Sequence, residues 1–118
     1  DLRVAEDIHI EANEFKLIPL GVAIALPPNH EALLIPRSST FKKYGIIQAN
    51  SIGLIDETYC GDNDEWKFSA YSTRSVDIPK NTRICQFRIL EHQPIVALIE
   101  TDHLSDIDRG GFGSTGEK

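Results

Sequence analysis

Short stretches of branched and aromatic residues alternate with turn formers along this chain, and no other feature constrains its fold as tightly. Val22 to Leu26, Ala32 to Ile35, Trp66 to Tyr71, Ile84 to Leu90 and Ile95 to Ile99 are brief, apolar or alternating, and read as strands. Pro27-Pro28-Asn29, Gly61-Asp62-Asn63-Asp64 and Pro79-Lys80-Asn81 separate them at intervals that suit a sandwich or barrel. Only Ser38 to Tyr44 reads as a helical turn, with Ser38 or Ser39 as its N-cap and lysines toward its C-terminal end. The expected fold class is therefore all-β with one short helix, in one domain of 118 residues.

Charge and composition narrow the function. No apolar run approaches the roughly 18 residues that a membrane span needs, so a soluble protein with no membrane partner is expected. The formal net charge of -6 disfavours an extended nucleic-acid footprint, which calls for a basic surface. A small anion needs only a few cations, and Arg37, Arg83 and Arg109 are candidates, the first two beside hydroxyl residues. Two cysteines, Cys60 and Cys85, make a poor disulfide framework and read as small apolar residues of a reducing, cytoplasmic compartment. His9, His30, His92 and His103 lack metal-ligand spacing and read as surface residues. The chain has no methionine, so residues preceding Asp1 are expected to be missing.

Asn50 to Gly61, Asn-Ser-Ile-Gly-Leu-Ile-Asp-Glu-Thr-Tyr-Cys-Gly, sets a lone carboxylate, Asp56, three residues before an aromatic, Tyr59. With Ile52, Leu54 and Ile55 read as buried, Asp56 needs solvent, a donor or a ligand to match its charge. A plain hairpin turn fits the same letters. Farther on, Arg109 to Gly116 holds four glycines in eight residues after a polar, acidic stretch, which suits either a disordered end or a lid.

Taken in order, these segments resemble the motif set of the homotrimeric dUTPase family. Pro36-Arg37-Ser38-Ser39 is similar to its second motif and Gly53-Leu54-Ile55-Asp56 through Gly61 to the third. Thr82-Arg83-Ile84-Cys85-Gln86 is similar to the fourth, and Arg109-Gly110-Gly111-Phe112-Gly113-Ser114-Thr115-Gly116 to the fifth. Asp1-Leu2 stands as a remnant of the first. Ser39 occupies a position that more often holds glycine, and the spacing from Arg109 to Phe112 is two residues shorter than usual.

The resemblance implies a distorted jelly-roll β-barrel over residues 1–107 and a glycine-rich arm over 108–118 that closes on the site. It implies hydrolysis of dUTP to dUMP and pyrophosphate, which limits uracil in DNA. In that reading Asp56 holds the attacking water, Tyr59 packs under the deoxyribose, and Asn50 with the backbone of Gly53 and Ile55 reads the uracil. Arg37, Ser38, Ser39 and Gln86 take phosphate oxygens; Phe112 stacks on the base; Arg109, Gly113, Ser114 and Thr115 hold the γ-phosphate. Arg83 organises the site through a carboxylate. Mg²⁺ is expected on the triphosphate without direct protein ligands, with Asp1 as a possible outer contact. The implied assembly is a homotrimer with shared sites. Two other readings stay open: a dCTP deaminase-type enzyme, for which Glu65 would supply the carboxylate, and a nucleotide-switched regulatory binding protein.

Overall fold

In the computed structural model, which describes residues 1–114 and 116, three groups of antiparallel strands enclose one core. The strands are β1 (Leu2–Arg3), β2 (Ile8–Ile10), β3 (Phe15–Pro19), β4 (His30–Pro36), β5 (Ile46–Gln48), β6 (Gly53–Ile55), β7 (Lys67–Ser72), β8 (Val76–Ile78) and β9 (Arg83–Glu91), with one helix, α1 (Thr40–Tyr44), between β4 and β5. One sheet runs in the order β1-β9-β4-β6, a second in the order β3-β7-β5, and β2 pairs with β8 alone. This jelly-roll-like, nearly all-β architecture with a single short helix is the fold class expected.

Period-two burial explains why the strands form where they do. In β7 Phe68, Ala70 and Ser72 point inward while Lys67 faces water; β2, β5 and β8 each bury their first and third residues. That alternation is what a half-buried antiparallel strand requires. The inward residues join Trp66, Ile18, Leu34, Ile46 and Ile84 in the core. Trp66 meets Phe87 edge to face at 5.4 Å, a geometry favoured by the ring quadrupoles.

Several expectations need correction. Val22–Leu26 is extended but no strand: its tie to the body is Trp66 N–H donating to Val22 C=O, and a run without a ladder partner stays irregular. Ile95–Ile99 is likewise no strand and projects Ile95, Leu98 and Ile99 into solvent. Strands at Leu2–Arg3, Ile8–Ile10, Phe15–Pro19, Ile46–Gln48 and Val76–Ile78 escaped the sequence reading because each is too short, or too mixed in polarity, to stand out. The helix begins at Thr40, with Ser39 as N-cap residue but no side-chain cap, and ends at Gly45, whose φ of 67° suits glycine. Thr40 performs the stapling instead: its hydroxyl accepts from Arg37 N–H and donates to Ile84 C=O.

Packing ends well before the glycine-rich arm. His92 N–H still donates to Asn29 C=O, whereas from Gln93 onward the hydrogen bonds among described residues are local. That extended segment gives a radius of gyration of 19.0 Å, against about 13 Å for a compact chain of this length. No described helix is long and apolar enough to cross a membrane.

Candidate active site

β6 is the outer strand of its sheet and pairs only with β4, through Ala32 with Ile55, Leu33 with Leu54 and Leu34 with Gly53. Its other edge therefore presents unpaired peptide N–H and C=O groups. Space at 53 is tight: a Cβ there would lie 3.1 Å from Leu34 Cβ and 3.2 Å from Gln48 Nε2, so its neighbours would have to give way. The edge opens on a cavity of about 600 Å³, lined by Asn50, Gly53, Ile55, Asp56 and Tyr59 together with Glu65, Trp66 and Lys67. Five of the residues singled out in the sequence thus share one pocket. Ile52 and Leu54, expected to be buried, are 52% and 64% exposed, because an edge strand with a short turn before it has a sheet on one side only.

Asp56 is exposed rather than buried, so its charge is matched locally. Thr58 Oγ1 donates to Oδ2 at 2.8 Å and Glu57 N–H donates to Oδ1 at 2.8 Å. The Thr58 hydroxyl above all, then the Glu57 amide and the nearby His92, hold the carboxyl below its ordinary value of 3.8. Tyr59 N–H donates back to Asp56 C=O, closing the turn, and the Tyr59 hydroxyl donates to Glu65 C=O at 2.9 Å. The ring is thereby fixed along the pocket wall. Glu65 also faces the cavity, but its Oε2 accepts from Gly21 N–H at 2.8 Å.

A second cluster forms where β1, β4 and β9 meet. The Asp1 carboxylate lies 3.3 Å from Arg37 Nε and 3.5 Å from Arg83 Nη1. Arg37 also donates to Arg83 C=O, and Gln86 Nε2 donates to Pro36 C=O at 3.1 Å. Ser38 is exposed and Ser39 half-buried beside these cations.

The two clusters stand at opposite ends of β4. Asp56 follows Ile55, which pairs with Ala32, whereas Arg37 follows Pro36, which pairs with Cys85. At ~3.3 Å per residue that separation is roughly 20 Å. The arm reaches neither cluster: Arg109, Phe112, Gly113 and Ser114 are exposed, and Arg109 Nη1 donates only to Gly110 C=O among described partners. Thr115 lies outside the described residues.

The sequence reading overlooked two neighbours of Asp56. His92, at the exit of β9, places Nε2 3.8 Å from Asp56 Oδ1 and Nδ1 3.9 Å from Glu57 Oε1. It is half-buried, not a free surface residue, and only the register of β9 against β4 brings it here. Among the described residues these three form the one grouping whose ligand-type atoms all approach within 4.8 Å. The imidazole turns opposite nitrogens toward the two acids instead of one nitrogen to a common point, so we read a histidine–carboxylate cluster. Cys60 is exposed, unlike the apolar role expected of it, while Cys85 is buried and its thiol is pushed up to about 12 by burial.

The comparisons agree with one another. The family model described as dUTPase matches residues 1–116. The SPbeta prophage-derived deoxyuridine 5'-triphosphate nucleotidohydrolase of Bacillus subtilis is 59% identical over 118 residues, covering 100% of this chain and 83% of that protein. The deoxyuridine 5'-triphosphate nucleotidohydrolase of Gloeothece citriformis is 40% identical, covering 98% of this chain and 80% of that one. Among solved structures, the dUTPase of Streptococcus mutans superposes with a TM-score of 0.75 at 27% identity, over 82% of this chain and 80% of its own. The dUTPase of Staphylococcus bacteriophage 80alpha with dUpNHpp superposes with a TM-score of 0.72 at 26% identity, over 99% and 85%.

Proposed function

The chain belongs to the dUTPase family, and on that basis we propose how its residues hydrolyse dUTP to dUMP and pyrophosphate: a water held by Asp56 attacks the α-phosphorus in line with the leaving pyrophosphate. One observation carries this reading, the placement of Asp56, Tyr59 and the free edge of β6 around a single pocket. Two acceptor positions of Asp56 are taken by Thr58 and Glu57, which fix the carboxylate's orientation and leave its remaining lone pairs for water. A carboxylate held below its ordinary value is fully ionised at neutral pH, as a base must be before it takes a proton.

Substrate selection follows from the same wall. The Tyr59 ring, braced by Glu65 C=O, lies flat where C2′ of the sugar would pack and leaves no room for a ribose hydroxyl. Uracil is read by the unpaired peptide groups of Gly53 and Ile55 together with the Asn50 amide. Cytosine would set donor against donor there, at about 1 to 3 kcal/mol per unpaired group. Glu65, tied to Gly21 N–H, is committed to bracing the loop and not to deamination.

Phosphate contacts fall to Arg37, Ser38, Ser39 and Gln86. A five-residue helix adds little macrodipole, so the guanidinium carries most of the attraction. Asp1, paired with Arg37 and Arg83, aligns both cations. Mg²⁺, when bound together with the substrate, would neutralise triphosphate charge. The roughly 20 Å between this cluster and Asp56 means that one copy cannot serve a triphosphate with both, so we assign the cations of one subunit and the Asp56 pocket of another to each site of a homotrimer. The outward apolar row Phe15, Tyr71 and Ile47 and the exposed run from Ile95 to Ile99 supply surface for such an assembly. The arm, residues 108–118, closes from a neighbouring copy, with Phe112 on the base and Arg109, Gly113, Ser114 and Thr115 on the γ-phosphate. Two unpaired cysteines suit a reducing, cytoplasmic setting.

Incubation with dUTP and with dCTP tests the reading. Pyrophosphate from dUTP, with dCTP untouched, is expected; ammonia from dCTP without pyrophosphate would overturn it.

A further inference from the structure

We infer that His92 is a positioning residue for this reaction: by bridging the carboxylates of Asp56 and Glu57 it governs how freely Asp56 takes up the proton of the attacking water. The inference rests on Asp56 being the base. Three segments meet at this point. Asn29, at a left-handed φ of 63° in the turn before β4, donates its N–H to Glu57 Oε2 at 3.0 Å and accepts from His92 N–H at 2.8 Å. The turn after β6, the entry to β4 and the exit of β9 are thus laced through one residue. A backbone bond thus fixes the main chain of His92 beside the two acids.

Its effect depends on its charge. As an imidazolium, His92 draws on the Asp56 oxygen that otherwise faces water and weakens the carboxylate as a base. As a neutral ring it leaves that oxygen to the water. Asp56 and Glu57 from the turn face the ring, and Glu31 from β4 lines a cavity with it. Because the ring and Asp56 are both part-exposed, the coupling is that of a surface pair, equivalent to a change of about two- to fivefold in rate.

The test is the pH profile of kcat on dUTP for the full chain and for His92→Gln. As pH rises through the neutral range, the parent is expected to gain about two- to fivefold more than His92→Gln, the ionisation of the terminal phosphate being common to both. Glu57→Gln, which removes one of the two acids, is expected to move that difference to lower pH. An equal rise in His92→Gln overturns the inference. So does a rise at unchanged pH in Glu57→Gln, which decides the matter if His92→Gln fails to fold by thermal melting. Asp56→Asn separates this from the underlying reading: if that variant turns over normally, the base assignment fails; if it is dead while His92→Gln keeps the whole rise, only the role of His92 fails.

Discussion

Asp56 illustrates how a single residue's surroundings set its chemistry. Its carboxylate is exposed, oriented by Thr58 and by the Glu57 amide, and ionised at working pH. Asparagine still accepts from Glu57 N–H through its oxygen and can donate its NH2 to Thr58 Oγ1, but it removes the proton acceptor. We expect Asp56→Asn to melt like the parent and to lose at least about 100-fold in kcat, the range set by loss of a positioned base. Steady-state pyrophosphate release together with a thermal melt checks both halves. Tyr59 makes a second case: Tyr59→Ala should let UTP compete with dUTP, read as a rise in the UTP/dUTP ratio of kcat/KM. Asp56 and Tyr59 were readable in the sequence because their spacing within one turn is local. Glu57 and His92 were not, since the partnership of His92 with the turn exists only through the pairing of β9 with β4.

Among the elements, the β2–β8 ribbon carries a charge device of its own. His9 sits opposite Asp77, with Nδ1 2.7 Å from Asp77 Oδ1 and Nε2 2.5 Å from Glu11 Oε1. The Glu11 contact first, and Asp77 second, raise the imidazole above its ordinary 6.5. A group raised on folding stabilises fully below its unfolded value and ceases to do so as pH rises through the folded one. The melting temperature of the parent should therefore fall as pH climbs past about 6.5, and His9→Gln should lose that component; an identical dependence in both would contradict it. The core offers a contrast. Phe68, the fully buried second residue of β7, should cost about 3 to 5 kcal/mol on truncation to alanine, measured by denaturant unfolding. Strand content was readable where an alternating or apolar run exceeded about four residues, as in β4, β7 and β9. Val22–Leu26 misled because composition reports how apolar a segment is and not whether a ladder partner lies beside it. Ile95–Ile99 misled for the same reason, its apolar side chains finding no cover within one chain.

For the whole molecule, the proposal turns on the distance between the Asp56 pocket and the Arg37 cluster on one chain. The motifs that resemble the family line up along the sequence as if they made one pocket, yet β4 holds Arg37 and the level of Asp56 at its opposite ends. No linear pattern encodes which copy completes which site. Deleting residues 108–118 should leave the oligomer intact by sedimentation while cutting dUTP turnover, because the described residues of the arm make only local bonds in one chain. The proposed sharing of sites also predicts complementation. Asp56→Asn and Arg37→Ala, each inactive alone, are to be mixed in equal amounts, unfolded and refolded together, and assayed on dUTP. Random assembly should restore roughly a quarter of parental activity, since each site then has about one chance in four of drawing both intact halves. A mixture no more active than its two components would mean that each chain builds its site alone.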